Sequence, residues 1–242
     1  MEPLLKDKTI LITGGTSQLG QPFVRKAMQH GARVFFTYFA DEETASQLEL
    51  LGGHGYAVDL ASTQAMDEFI AAFLKKTERL DVLIHNAATT ADALIEQMSE
   101  RQWDKVMNVN LKAPFYLTRQ LLPLLIRHPQ SKIFMIVSRA GLSGLYGASN
   151  YAASKGGLIA MTKTLAKELG RKKVLVNAVN PGFMKSSITE TVPEEVLKKN
   201  LEMSPLRSFA EPEEVADFLV YLSSDMMRQV TGQVFHFESR PF

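Results

Sequence analysis

The sequence predicts an α/β fold in which a doubly wound, seven-stranded parallel sheet is flanked by helices. Three observations carry that expectation. Apolar, β-branched runs of strand length alternate with segments of helical period. The first run ends in a glycine-bearing turn that opens a helix, the arrangement of a Rossmann-type fold. No shift in composition divides the 242 residues, a length that suits one large domain with a sizeable core, so a single domain over 1–242 is expected.

The strand-length runs are 9–13, 33–37, 55–58, 82–85, 133–137, 175–179 and 233–237. The first, Thr9-Ile10-Leu11-Ile12-Thr13, leads through the turn into a helix at 18–30. Arg33-Val34-Phe35-Phe36-Thr37 follows, and then a helix at 42–51 with Asp41 and Glu42 at its start. The third strand precedes a helix at 62–77, and the fourth, Val82-Leu83-Ile84-His85, precedes a long helical segment at 99–127. Pro114 and Pro123 predict kinks or breaks in that segment. The fifth strand leads to a helix at 149–169, and the sixth to the stretch 185–205, which interrupts the rhythm. That stretch mixes Ile188, Val196, Leu201 and Met203 with charges, as a lid over a site or a peripheral helix would. A helix at 211–223 and the last strand complete the pattern. Because strands covered on both faces read as continuous apolar runs, the sheet is expected to be parallel.

Composition excludes several function classes. The formal net charge is +1 with both signs interspersed, so no basic stripe of the kind nucleic acid requires is present. Cysteine is absent, which removes disulfides and thiolate metal sites and fits a reducing compartment, with the cytoplasm as the expected location. No metal site is expected. The short charged start, residues 1–8, runs straight into a strand, and no apolar run reaches the length of a membrane span. A soluble protein without a membrane partner is expected.

The turn after the first strand reads Thr13-Gly14-Gly15-Thr16-Ser17-Gln18-Leu19-Gly20. Glycines there let the backbone approach a pyrophosphate, which the free N–H groups and dipole of the helix then stabilise. A dinucleotide is the ligand this favours; a tight turn that binds nothing is the plainer alternative.

Tyr151 and Lys155 lie four residues apart in Asn150-Tyr151-Ala152-Ala153-Ser154-Lys155, with Ser138 thirteen residues before the tyrosine. On a helix the pair shares one face. The lysine charge is expected to favour phenolate and lower the tyrosine pKa from its usual value of about 10. Such a phenol can exchange a proton with a carbonyl oxygen while hydride moves to or from the carbon.

These features, in this order, resemble the short-chain dehydrogenase/reductase family. The family turn T-G-x-x-x-G-x-G is matched at Thr13, Gly14 and Gly20, with Gln18 in place of the middle glycine. Asp59-Leu60 resembles the pair at the adenine, and His85-Asn86-Ala87-Ala88 resembles N-N-A-G. Asn110, in Val109-Asn110-Leu111, resembles the helix asparagine that holds a water reconnecting the lysine with solvent. Ser138, Tyr151 and Lys155 resemble the catalytic serine, tyrosine and lysine. Asn180-Pro181-Gly182-Phe183 with Ser186 resembles the turn that holds the nicotinamide carboxamide.

The resemblance implies a cofactor cradle of Gly14, Thr16, Ser17, Gln18, Leu19, Gly20, Thr37, Tyr38, Asp59, Leu60, Asn86, Ala87, Val109, Tyr151, Lys155, Pro181, Gly182, Phe183 and Ser186. Substrate contacts are expected from Ser138, Tyr151, Leu145 and Met184. No acidic residue stands at the tip of the second strand, which ends Phe36-Thr37-Tyr38-Phe39; NADP(H) is therefore expected, with NAD(H) the alternative. Within the family the chain is most similar to 3-oxoacyl-[acyl-carrier-protein] reductases, which implies reduction of a carbonyl to a secondary alcohol. A sugar or secondary-alcohol dehydrogenase is the second reading, and a cofactor-binding regulatory module the third. An acyl carrier protein is a partner that Arg127, Arg139, Arg171, Lys172 or Lys173 could meet, although a solvated charged face is the favoured reading of these residues. The family also implies a homotetramer or homodimer. The ending Glu238-Ser239-Arg240-Pro241-Phe242 departs from the family's glycine-rich tail, which points to specialised substrate choice or altered assembly.

Overall fold

Seven strands form one sheet in the computed structural model, which describes residues 3–184, 194–237 and 239–240. They are β1 (Thr9–Ile12), β2 (Arg33–Tyr38), β3 (His54–Ala57), β4 (Val82–His85), β5 (Lys132–Ile136), β6 (Leu175–Asn180) and β7 (Val234–His236). Every pairing is parallel, in the order β3-β2-β1-β4-β5-β6-β7. The order reverses between β1 and β4, so the connections leaving those two strands diverge and open a crevice at their carboxyl ends.

The two-residue period of a strand divides the core. Leu11, Ile133 and Met135 pack on one face of the sheet, and Ile10, Ile12, Phe134 and Ile136 on the other. The first face is covered by α3 (Thr63–Leu74), α5 (Ala113–Leu125) and α7 (Ser149–Leu169). The second is covered by α1 (Gly20–Gln29), α2 (Glu42–Leu50) and α9 (Pro212–Ser223). The remaining helices are α4 (Glu100–Met107), the short α6 (Ala140–Ser143) and α8 (Glu194–Met203). Among the described residues, no helix is long and apolar enough to cross a membrane.

The segment expected as one helix at 99–127 is broken, but not where both prolines predicted. Its helical hydrogen bonds widen into a π turn at Asn108–Lys112, where the Ala113 N–H reaches the Asn108 carbonyl. Pro114 follows at the start of α5. Its ring has no N–H for the Asn110 carbonyl and would crowd that oxygen in a regular helix, and the wider turn relieves the clash. Pro123 breaks nothing; it is exposed, and α5 continues to Leu125. Smaller differences are β3 one residue earlier than expected, the shorter β7, a helix α1 that starts at Gly20, and the unexpected α6. Of the stretch 185–205, residues 194–203 form α8, while 185–193, and Ser186 with them, lie outside the described residues.

Candidate active site

The turn after β1 is fixed by side chains from two neighbouring strands. Thr37, at the end of β2, receives the Gly15 N–H on its carbonyl at 2.8 Å. From the end of β4, Asn86 Nδ2 donates to Thr13 O, Gly14 O and Ser17 Oγ at 3.1, 2.9 and 3.0 Å. The Thr13 hydroxyl accepts the Asn86 and Ala87 N–H groups, each at 3.1 Å. Gly14 has φ +67°, and a Cβ on Gly20 would lie 2.2 Å from the Gly14 carbonyl oxygen. Only glycine therefore lets α1 begin this close to the turn. Ser17 Oγ accepts the Gly20 N–H at 3.1 Å, while Gln18, where the family has glycine, is exposed. Backbone N–H groups and the amino end of α1 line the crevice at this point, a cradle that fits a pyrophosphate.

Other residues of the expected cradle follow the carboxyl ends of β3 and β6 or lie in the π turn. Asp59 follows β3 and accepts the Ala61 N–H at 2.9 Å, and Leu60 beside it is buried. Val109 is half-buried in the π turn. Pro181 and Gly182 follow β6, where the Gly182 N–H reaches Asn180 Oδ1 at 3.3 Å. Tyr38 ends β2, and no acidic side chain accompanies it there. Among the described residues no group of three or more His, Cys, Asp or Glu side chains stands where it could hold a metal ion.

Ser138, two residues past β5, stands close enough to Tyr151, in the first turn of α7, for its hydroxyl to act on the phenol's pKa. The Ser138 hydroxyl also accepts the Ala140 N–H at 3.2 Å, which orients it. The start of α7 is held by Asn150, whose Nδ2 donates to Ala91 O and Gln102 O at 2.9 and 3.3 Å. Short α6 lies directly on α7, since a Cβ on Gly141 would sit 2.6 Å from the Gly156 nitrogen. Glycine at 141 thus sets the separation between the serine and tyrosine elements.

Lys155 is buried and donates from Nζ to the Ile136 carbonyl at 2.7 Å, with the ammonium 5.6 Å from the Tyr151 ring centroid. Burial lowers its pKa to about 8. The expectation that this lysine depresses the tyrosine pKa is corrected here: Tyr151 is raised above its usual value. Burial is the largest cause; the Ser138 hydrogen bond pulls in the opposite direction, and the Asp92 carboxylate adds to the rise. Desolvation of the phenolate outweighs the Ser138 effect, and the lysine charge is engaged with the Ile136 carbonyl.

Asn110, fully buried in the π turn, accepts the Thr89 N–H at 2.8 Å and donates to Thr89 O and Ser154 Oγ at 3.0 and 3.3 Å. These bonds tie the loop after β4 to α7, one residue from Lys155. The sequence reading missed Asn150, Ser154 and Thr13 as supports. A polar residue beside the tyrosine and a hydroxyl on the lysine-bearing helix were the only available signals. Leu145 is exposed beyond α6, whereas Met184 packs against the core on the α1 and α9 face. His85, in place of the family's asparagine, is buried with Nε2 on the Thr118 hydroxyl at 2.8 Å, and burial lowers its pKa to about 3. Of the basic residues, Arg127, Arg171, Lys172 and Lys173 precede β5 and β6, at the end of the sheet opposite Ser138; Arg139 adjoins Ser138.

The family model described as enoyl-(acyl carrier protein) reductase matches residues 15–239. The 3-oxoacyl-[acyl-carrier-protein] reductase FabG of Thermotoga maritima is 39% identical over 235 residues, spanning 95% of this chain and 96% of its own. The enzyme of the same name from Aquifex aeolicus is 35% identical over 242 residues, 98% of each chain. Among solved structures, the Pseudomonas aeruginosa RhlG/NADP active-site complex superposes with a TM-score of 0.90 at 30% identity, covering 99% of this chain and 98% of that one. A match of that span, with relatives this similar along nearly their whole length, places the protein in the short-chain dehydrogenase/reductase family.

Proposed function

We propose that this protein reduces a 3-oxoacyl thioester on acyl carrier protein to the 3-hydroxyacyl thioester with NADPH, in fatty acid or polyketide-type synthesis. The observation that carries the chemistry is the buried Lys155 ammonium, anchored on the Ile136 carbonyl and 5.6 Å from the Tyr151 ring centroid, with Ser138 beside the phenol past the carboxyl end of β5. The named activity of the relatives supports the substrate class.

In this reading Ser138 and Tyr151 grip the ketone oxygen, and the bound nicotinamide supplies hydride to the carbon. The raised pKa keeps the phenol protonated near neutral pH, so it is poised to give its proton to the oxygen as negative charge develops there. The product is the alcohol, and the phenolate left behind is stabilised by Ser138 and recovers a proton from solvent. Asn110 acts as a brace that fixes α7 through Ser154. Lys155 holds positive charge under the ring and would hold the nicotinamide ribose of a bound cofactor. The strand tip at Thr37 and Tyr38 offers no carboxylate to repel a 2′-phosphate, which supports NADP(H) over NAD(H).

Carrier docking at this chain's own site would meet Arg139 before the basic residues at the opposite end of the sheet. Exposed Trp103 and Phe115 on α4 and α5 support pairing into a homodimer or homotetramer.

Oxidation of NADPH with acetoacetyl-carrier-protein thioester tests the reading, with crotonyl thioester and cyclic ketones as controls. Turnover of the 3-oxo thioester above the controls is expected. Reduction of the crotonyl thioester alone would move the assignment to enoyl reduction, and cofactor binding without turnover would favour a regulatory module.

A further inference from the structure

The divergent carboxy-terminal tail returns to the turn that follows β6. Arg240 is only 8% exposed, although it stands two residues from the end of the sequence. Its guanidinium lies over the Phe183 ring, 5.3 Å from the centroid, and Nη1 donates to Asn200 Oδ1 on α8. Next to it, the Ser239 and Ser204 hydroxyls share a hydrogen bond, joining the tail to the segment just past α8. Phe183 in turn packs on Phe209 with ring centroids 4.8 Å apart. Phe183, Phe209, Phe237, Glu214 and Arg240 line a cavity of about 390 Å³ whose wall includes none of Ser138, Tyr151 or Lys155.

A buried guanidinium is costly unless its donors and its flat face are both satisfied. Here an amide oxygen takes one donor, and an aromatic face takes the ion, whose weak hydration suits such stacking. The two contacts lie on different elements, so Arg240 fixes the Phe183 ring and α8 relative to each other. Phe183 is contiguous with Pro181 and Gly182, so a contact that pins its ring restrains that turn.

We propose that Arg240 is a positioning residue for the reaction. It holds the Pro181-Gly182-Phe183 turn and α8 in one arrangement through the Phe183 ring and Asn200. This rests on the reading of that turn as the support of the nicotinamide. A cofactor ring displaced by a fraction of an ångström loses its approach to the carbonyl while most of the binding contacts survive.

The test compares wild type, Arg240→Ala, Arg240→Lys and Phe183→Leu for NADPH affinity by fluorescence, turnover of acetoacetyl thioester, and melting temperature. Arg240→Ala should lower kcat about tenfold or more, with KM for the thioester changed much less and melting shifted only slightly. Arg240→Lys should recover part of the loss, and millimolar guanidinium should restore some turnover to Arg240→Ala but not to Phe183→Leu. Combined with Phe183→Leu, the Arg240→Ala loss should be less than additive.

Wild-type kcat and NADPH affinity in Arg240→Ala would overturn the proposal. So would a loss of kcat that tracks a collapse in melting temperature with no guanidinium rescue. If Arg240→Ala does not fold, Arg240→Lys and Arg240→Gln carry the same comparison. A wild-type protein that binds NADPH but turns over no carbonyl would sink the proposed activity alone, and NADPH affinity in the variants would then decide the role of Arg240. A wild type that binds no NADPH would sink both.

Discussion

The Lys155 ammonium donates to the Ile136 carbonyl at 2.7 Å and lies 5.6 Å from the centre of the Tyr151 ring, so one buried charge joins the strand to the face of the phenol. Burial makes Tyr151 keep its proton more tightly than a free phenol. Removing only that hydroxyl isolates its contribution. Tyr151→Phe should lower kcat by about 10² to 10⁴, the usual worth of a positioned general acid, while NADPH affinity changes little. Single-turnover kinetics would check this, and near-normal turnover would end the assignment.

Lys155 should appear in the alkaline limb of the pH profile. Its pKa, lowered by burial to about 8, predicts that kcat for reduction falls as pH rises through that value and the ammonium is lost. Lys155→Arg stays charged across this range. Its residual activity should therefore show no limb near pH 8, whatever its amplitude.

Cofactor choice can be moved at the tip of β2. Tyr38→Asp introduces a carboxylate where none stands. It should accept the ribose 2′-hydroxyl of NADH and repel the 2′-phosphate of NADPH. The ratio of kcat/KM for NADPH over NADH should drop by about tenfold or more, a change of at least about 1.4 kcal/mol in discrimination. An unchanged ratio would show that the 2′ position is read elsewhere.

His85 makes stability depend on acid. Its folded pKa is about 3 against the ordinary 6.5, because the buried ring cannot be charged without losing its solvation. Between those values the unfolded chain binds the extra proton, so stability falls as pH drops below 6.5, by up to about 1.4 kcal/mol per pH unit. His85→Asn should flatten that slope in urea titrations at successive pH values. Equal slopes in the two proteins would refute the linkage.

The sheet was legible because strands buried on both faces leave unbroken apolar runs, as in Ile133, Phe134, Met135 and Ile136. Ser138, Tyr151 and Lys155 were legible as a set because helical spacing and order along the chain bring them together. The direction of the Tyr151 pKa was not, since spacing reports proximity and says nothing of burial or of the Ile136 carbonyl that engages the lysine. Pro114 flagged a disturbance, yet its form depended on which carbonyl its ring would have struck. The placement of Arg240 was beyond reach of local pattern, because its partners Phe183 and Asn200 are distant in sequence.

The π turn at Asn108–Lys112 sets the rotational phase of everything after it. One residue of α-helix is about 100° of rotation. A chain shortened by one residue there would bring the Pro114 ring back against the carbonyl four residues before it and turn Leu117, Leu121 and Leu124 away from the sheet they cover. It would also carry Asn110 off the axis that reaches Thr89 and Ser154. The irregular turn works as a vernier between two requirements, one for the core and one for the catalytic helix, that a uniform helix of this length could not meet together.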